Sequence, residues 1–235
     1  MNILITGALG YIGSHTVAEL DVNKCILLDN LSNSKTDVLE KLKKISKSSI
    51  DFFNVDVTNI IELEKIFKIY SIDVIVHFAG YKAVKESIDK PLSYYKNNLI
   101  GTMNLIDLAL KFKVKKFIFS SSATVYGNQT SPLKEDMKLG KTSNPYGETK
   151  AMSERILIDV ANKNKDLKIT ILRYFNPVGA HKSGLIGENP KGIPNNLMPY
   201  ILKVANKEIK KLKIFGNDYD TKDGTAIRDY IHVMD

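Results

Sequence analysis

Short apolar runs alternate with longer amphipathic stretches from Met1 to about Arg173, and this alternation limits the possible folds more than any other feature. The runs are rich in Ile, Val, Leu and Phe and predict buried strands. They are Ile3 to Ile5, Cys25 to Leu28, Phe52 to Val55, Val74 to Val76, Phe117 to Phe119 and Ile169 to Leu172. The alternation predicts an α/β fold with a doubly wound parallel sheet.

Helices are predicted between these runs, where apolar residues recur three or four positions apart. One such stripe consists of Ile61, Ile66 and Ile69, and a longer one of Leu92, Tyr95, Leu99, Met103, Ile106 and Leu110. After Arg173 the alternation ends. The segment from Asn176 to Pro199 is rich in Gly, Pro and Asn and predicts a long loop of the kind that often carries function.

Composition and charge exclude several classes of protein. The net charge is +8, but the lysines are spread along the sequence, which favours a solvated surface over a nucleic-acid site. Cys25 is the only cysteine, so neither an intramolecular disulfide nor a multi-cysteine metal site is possible. No apolar run reaches the ~18 residues of a membrane span, and a strand pattern begins at Asn2 without a signal segment. We therefore expect a cytoplasmic protein that binds neither nucleic acid nor membranes and holds no metal.

The first strand leads directly into three spaced glycines, Gly7, Gly10 and Gly13, with Tyr11 and Ile12 between the last two. Glycine permits a sharp turn and lets backbone N–H groups approach a phosphate, while the helix N-terminus adds partial positive charge. A glycine loop between a strand and a helix predicts a dinucleotide site. Asp29 ends the second strand. Its distance along the sequence from Gly7 is close to the ~20 residues expected for the carboxylate that binds the adenosine ribose. A carboxylate there repels a 2′-phosphate, so NAD is favoured over NADP.

A second set of polar residues predicts proton chemistry. Tyr146 and Lys150 are four residues apart after Asn144-Pro145, which places the phenol and the ammonium on one face of a helix. A nearby cation and the positive nicotinamide would favour the phenolate and make Tyr146 a usable base. Ser120 and Ser122 end the fifth strand, where parallel strands face the ligand crevice.

The glycine loop, the strand-end serines and Tyr-x-x-x-Lys in this order resemble the extended short-chain dehydrogenase/reductase family. Further stretches resemble its UDP-glucose 4-epimerases. They are Asp29 to Ser34, His77 to Gly80, Lys82 to Val84, Phe119 to Gly127, Arg173 to Ala180, Gly192 to Tyr200 and Arg228 to Val233.

The resemblance implies an NAD-binding Rossmann domain over residues 1–175 and a partial UDP-sugar-binding region over 176–235. NAD would stay bound between turnovers, with Tyr146, Lys150 and Ser122 as catalytic residues. Further contacts with NAD are implied for Asn30, Asn33, Ser34, Asp56, Val57, Phe78, Ala79, Lys82, Asn97, Ser120 and Phe175. Contacts with the UDP-sugar are implied for Ser122, Asn176, Asn196, Leu197, Phe215 and Arg228.

The resemblance also defines the alternatives. Related enzymes that eliminate water carry an Asp-Glu pair just after the strand-end hydroxyl, where this chain has Ala123-Thr124. The segment from Ser14 to Leu28 is slightly shorter than the family pattern, and the chain stops at Asp235, where the family continues the sugar-binding domain. An inactive NAD-binding module and an NAD-dependent sugar-nucleotide dehydrogenase therefore remain as alternatives to an epimerase. The family also implies a homodimer, formed through Leu92 to Phe112 and Tyr146 to Asn164.

Overall fold

A computed structural model describes residues 1–191, 196–214 and 216–235. Its strands are β1 (Asn2–Thr6), β2 (Lys24–Leu28), β3 (Ser49–Phe53), β4 (Val74–His77), β5 (Lys116–Ser122), β6 (Lys168–Tyr174), β7 (Asn176–Val178) and β8 (Tyr230–His232). Its α-helices are α1 (Tyr11–Glu19), α2 (Asp37–Ile45), α3 (Ile60–Ile69), α4 (Val84–Asp89), α5 (Pro91–Lys111), α6 (Pro145–Lys163) and α7 (Leu197–Ala205). A 3-10 turn covers Ala123–Tyr126.

The first six strands form one parallel sheet in the order β3-β2-β1-β4-β5-β6. The strand order reverses between β1 and β4, which opens a crevice at the carboxyl ends of the strands. The predicted doubly wound parallel sheet is therefore confirmed. All six predicted strands are present, although β3 begins and ends earlier than its apolar run, at Ser49 and Phe53.

The sheet has an apolar core on both faces, as its strand sequences require. Leu4 and Ile75 pack on one face with helices α3, α5 and α6, and Ile5 and Leu27 pack on the other with α1 and α2. All four side chains are fully or almost fully buried. Cys25, predicted as a buried strand residue, is also buried. Packing on both faces of the sheet holds the strands in place, and the candidate site lies at their carboxyl ends.

The predicted helices α3 and α5 are present, but their apolar stripes face the core only in part: Ile66 and Ile106 are buried in it, whereas other members of the stripes are exposed. In α5 the buried face includes Asn98, Gly101, Thr102 and Leu105, whereas Leu92 is 71% exposed. A Cβ on Gly101 would overlap Val57, so the helix packs closely through a small residue. In α3 the buried residues are Leu63, Ile66 and Phe67, and Ile61 and Ile69 are exposed.

The region after Tyr174 contains a second, two-stranded parallel sheet of β7 and β8. The predicted long loop from Asn176 to Pro199 is therefore only partly a loop, since it begins with β7 and ends in α7. Within the described residues, none of the helices combines the length and the hydropathy needed to span a membrane.

Candidate active site

One large cavity of about 1560 Å³ lies at the carboxyl ends of the central strands. Most of the predicted site residues line it. They are Gly7, Gly10, Tyr11, Ile12, Gly13, Asp29, Asn30, Asn33, Ser34, Val57, Phe78, Ala79, Lys82, Asn97, Ser120, Ser122, Tyr146, Lys150, Phe175, Asn176, Asn196, Leu197 and Arg228. Phe215 lies outside the described residues. The glycine loop and the Tyr-Lys helix thus open into the same space.

The glycine loop forms a close turn between β1 and α1. Gly7 has a φ of 65°, and a Cβ at this position would lie 2.7 Å from the backbone nitrogen of Ala79. A Cβ on Gly13 would overlap the carbonyl oxygen of Gly7. Gly10 caps the start of α1, whose first N–H groups have no partner within the helix. This cradle accepts phosphate oxygens and excludes side chains, so it fits the pyrophosphate of a dinucleotide.

Asp29 occupies the end of β2, where Leu28 pairs with Thr6 in an unbroken register despite the shorter preceding segment. The residue is 8% exposed. It accepts hydrogen bonds from the N–H groups of Leu9 and Leu31 at 3.0 and 2.9 Å and from the Ser34 hydroxyl at 2.7 Å. Asp29 therefore holds the glycine loop and the loop after β2, in addition to lining the cavity.

Asp56 has a structural environment that differs from the other predicted NAD contacts, because it is absent from the cavity lining. Its carboxylate accepts hydrogen bonds from the Asn30 amide at 2.8 Å and from the Thr58 hydroxyl at 2.6 Å. Asn30 itself lines the cavity. In this structure Asp56 acts on the site through Asn30, and a direct contact with adenine stays a prediction.

Tyr146 and Lys150 lie in the first turns of α6, as their spacing predicts. Pro145 begins this helix, and the Asn144 side chain caps it by accepting a hydrogen bond from the Gly147 N–H at 2.9 Å. The Lys150 ammonium donates to the Ser120 carbonyl at 2.7 Å and lies 4.8 Å from the centre of the Phe119 ring. Burial lowers the pKa of Lys150 to about 8.

Burial opposes the phenolate that the sequence predicts for Tyr146 beside Lys150 and a positive nicotinamide. Burial raises the pKa of Tyr146, and a hydrogen bond with Ser122 opposes this increase. Ser122 accepts a hydrogen bond from the Thr124 hydroxyl at 3.0 Å, which leaves its own proton free for the phenol. Desolvation of the phenol outweighs the hydrogen bond from Ser122, and a positive charge bound in the cavity would lower the pKa.

Those predicted substrate residues after β6 that the structure describes line the same cavity as the glycine loop. Asn176 donates to the Asp229 carbonyl at 2.8 Å and joins β7 to the segment before β8. Asn196 donates to Glu188, and Leu197 begins α7 and is 47% exposed. Arg228 also lines the cavity, and its guanidinium donates from Nη1 to the Ile227 carbonyl at 2.8 Å, which leaves other N–H groups available as donors.

The segment after β7 has a role that the sequence prediction missed. Tyr11 donates from its hydroxyl to the Gly179 carbonyl at 2.7 Å, and Lys191 donates to the Leu31 carbonyl at 2.6 Å. The ammonium of Lys82 lies 3.6 Å from the carboxylate of Glu188. The segment therefore spans the cavity and contacts the predicted NAD-binding loops. No local pattern signals these contacts, since their partners are far apart in the sequence.

A buried ion pair was also missed. Glu154 is fully buried one helical turn beyond Lys150, and its carboxylate binds Arg173 of β6. The same i, i+4 spacing that indicated Tyr146 and Lys150 could have indicated Glu154. Among residues 1–191, 196–214 and 216–235, no cluster of His, Cys, Asp or Glu could hold a metal ion.

Comparison with known proteins adds independent evidence. Residues 3–235 match the NAD dependent epimerase/dehydratase family. The chain is 54% identical to the UDP-glucose 4-epimerase of Haemophilus influenzae and 53% identical to that of Pasteurella multocida, and all of it aligns with 70% of each relative.

A solved structure shows the same relationship. The UDP-glucose 4-epimerase of Bifidobacterium longum, determined with NAD+ and UDP, superposes with a TM-score of 0.96 at 48% identity. The match covers 100% of this chain and 71% of that protein. The chain therefore belongs to the NAD dependent epimerase/dehydratase family and is a homologue of UDP-glucose 4-epimerases.

Proposed function

We propose that the chain catalyses the NAD-dependent interconversion of UDP-glucose and UDP-galactose. One observation supports this proposal above all. The glycine loop, the strand-end hydroxyl of Ser122 and the Tyr146-Lys150 pair open into a single cavity. A dinucleotide bound along the loop would extend towards the pair, where a proton has to leave the sugar 4-hydroxyl and a hydride has to leave C4.

NAD is the cofactor that this site fits. The cradle formed by Gly7, Gly10 and Gly13 would hold the pyrophosphate, and Asp29 retains acceptor capacity for a ribose hydroxyl. NAD, when bound, would supply an acceptor for the hydride of the sugar C4 and a donor that returns it to the opposite face. Its positive nicotinamide also supplies the charge needed to lower the pKa of Tyr146.

The residues of the chain move and hold the proton. The Tyr146 phenolate removes the proton of the sugar 4-hydroxyl, and Ser122 bridges the phenol oxygen and the sugar oxygen. Lys150 holds the phenolate by its charge from one helical turn away. Asn176, Asn196, Leu197 and Arg228 would hold the UDP group while the 4-keto sugar turns over. Arg228 suits a diphosphate because its guanidinium can donate to two oxygens.

The alternatives lack comparable support. A dehydratase needs an acid and a further base after Ser122, and the 3-10 turn at that position begins with Ala123 and Thr124. The relatives with 54% and 53% identity carry the name UDP-glucose 4-epimerase, which favours turnover over an inactive NAD-binding module. A dehydrogenase that releases NADH would need added cofactor, which the experiment below tests directly.

We further propose that residues 1–175 bind NAD and residues 176–235 bind part of the UDP-sugar. The two separate sheets support this division. A cytoplasmic homodimer through α5 and α6 is the corresponding proposal for assembly. Leu92 and Met103 on α5 and Ile158 on α6 are 71%, 40% and 46% exposed, which supports a protein contact there. Sedimentation of a monomer at micromolar concentration would contradict the dimer.

Turnover without added cofactor tests the proposed activity. The purified protein is incubated with UDP-galactose, and UDP-glucose is followed by NMR. We expect conversion that falls by about 10²- to 10⁴-fold in Tyr146→Phe, because the variant loses the proton acceptor. Tyr174→Phe is the control for loss of a phenol near the cavity and should retain activity. Folded, NAD-loaded protein that gives no conversion would contradict the proposal.

A further inference from the structure

Glu154 is a buried carboxylate that the proposed reaction leaves without a role. It is 0% exposed and lies in α6, one turn beyond Lys150 and two turns beyond Tyr146. Burying an ionised carboxylate is costly unless it is paired and fully hydrogen-bonded. This buried carboxylate lies next to the proposed catalytic residues Tyr146 and Lys150.

Arg173 and Ser121 supply the pairing from two neighbouring strands. Arg173 donates from Nη2 to one carboxylate oxygen at 2.8 Å and from Nε to both oxygens at 3.2 Å. The Ser121 hydroxyl donates to Oε1 of the same carboxylate. Arg173 also lies 4.8 Å from the centre of the Tyr126 ring, in the 3-10 turn after β5. One carboxylate thus joins α6, β5 and β6.

Ser121, which binds Glu154, lies at the end of β5 that also contacts Lys150 and Tyr146. It lies between Ser120, whose carbonyl accepts the Lys150 ammonium, and Ser122, whose hydroxyl meets the Tyr146 phenol. Side chains alternate along a strand, so Ser121 points away from its two neighbours. Fixing Ser121 to α6 therefore fixes the strand end that carries the other two contacts, relative to the helix that carries the base.

Charge provides a second link between Glu154 and Lys150. The described titratable groups around Lys150 are Tyr146 and Glu154 on α6 and His77 at the end of β4, with Arg173 beyond Glu154. Burial lowers the pKa of His77 to about 3, so this imidazole is neutral at ordinary pH. Burial lowers the pKa of Lys150, and the Glu154 carboxylate counteracts that decrease.

We propose that Glu154 is a positioning residue for the proposed epimerisation, which holds the end of β5 against α6 and keeps Lys150 protonated by its negative charge. The inference rests on the proposed function. A carboxylate with only a structural role would stabilise the fold and leave the protonation of Lys150 unchanged. The two roles differ in one observable, the pH at which Lys150 loses its proton.

The test is an NMR titration of Lys150 in NAD-loaded protein, with lysine labelled at Cε and the Lys150 signal identified by its loss in Lys150→Met. We expect the midpoint to fall by about 1 pH unit in Glu154→Gln, because an opposite charge within a turn is removed. Glu154→Asp should restore most of that shift. Asp159→Asn, which removes an exposed carboxylate from the same helix, should leave the midpoint unchanged.

Activity on the same samples completes the test. The alkaline limb of kcat should move to lower pH together with the Lys150 midpoint, with a loss of about 10-fold above the new midpoint. Should Glu154→Gln fail to fold, the double variant Glu154→Gln/Arg173→Met removes both charges together. Its midpoint should fall by a smaller amount, because the Arg173 cation that is lost with the carboxylate lies beyond Glu154 and offsets only part of the change at Lys150. An unchanged midpoint in Glu154→Gln, or in the double variant if the single variant does not fold, overturns the role of Glu154. Folded wild-type protein without turnover contradicts the proposed function instead, since the titration needs no turnover.

Discussion

The two sides of the cavity are built in different ways. On the side of the six-stranded sheet, Ile26 and Ile75 are completely buried and the catalytic helix is joined to two strands. On the other side, Ile214 and Ile227 are 79% and 78% exposed, and all three residues of β8 are exposed. The residues proposed for proton transfer are thus positioned by a packed core. Those proposed to bind the UDP group are positioned by a few hydrogen bonds.

The two kinds of site residue are also held in their orientations in different ways. Tyr146 and Lys150 receive their orientation from a capped helix whose position several buried contacts fix. Asn176 and Arg228 are oriented by single bonds to nearby carbonyls. Substitutions near the sheet should therefore alter folding or cofactor binding, and those across the cavity should alter substrate binding alone.

The largest effect is expected at the glycine loop. Gly7→Ala places a Cβ 2.7 Å from the Ala79 nitrogen and strains a residue with φ of 65°, so the purified variant should carry almost no NAD. Gly184→Ala is the matched control, because Gly184 has φ of 70° and open space around the position. NAD content is measured after denaturation of the purified proteins. Equal NAD loss in both variants would show that backbone strain, and not the close approach, limits binding.

A smaller effect, on the free energy of unfolding, is expected when an isoleucine is shortened to alanine on each side of the cavity. Ile75→Ala should lower the free energy of unfolding by about 2 to 5 kcal/mol, because it opens a cavity in the core. Ile227→Ala should change it by at most about 0.5 kcal/mol, since the side chain is already exposed. Urea denaturation measures both. Similar losses would contradict the contrast in packing.

His77 should make the stability of the sheet region depend on pH. Burial lowers the pKa of His77 from 6.5 to about 3. Between these two pH values, His77 is protonated in the unfolded chain and neutral in the folded protein. The free energy of unfolding should therefore decrease by about 1.4 kcal/mol for each pH unit as pH falls below 6.5. In His77→Asn that part of the slope should disappear, whatever the stability at pH 7. Identical slopes in denaturation between pH 5 and 6.5 would refute the assignment.

The smallest effect is expected across the cavity. Arg228→Lys loses the two-pronged guanidinium and should raise the dissociation constant for UDP by about 10-fold, with NAD content and stability unchanged. Arg155→Lys is the control, since Arg155 is an exposed residue on α6 that pairs with Glu148 away from the substrate side. Calorimetric titration with UDP compares the two. A weaker affinity in both variants would point to general charge and not to a diphosphate contact.

Local patterns in the sequence were sufficient to predict the sheet, the glycine loop and the Tyr146-Lys150 pair, because each depends on spacing within one element. They were insufficient for the buried face of α5. There Asn98 and Thr102 take positions that hydrophobicity would assign to apolar residues, since Asn98 donates to Thr149 at 2.9 Å and Thr102 bonds His77 at 3.1 Å. Such partners are tertiary, so composition and periodicity cannot reveal them.

Retention of the C4 hydrogen tests the proposed epimerase most directly. UDP-galactose deuterated at C4 is converted by protein with its resident NAD, in the presence of excess unlabelled NAD and NADH. The product should be UDP-glucose that retains the deuterium at C4 with inverted configuration, because the hydride returns to the carbon it left. Unlabelled UDP-glucose, or deuterium in the soluble nicotinamide pool, would contradict an epimerase and indicate a dehydrogenase that exchanges its cofactor.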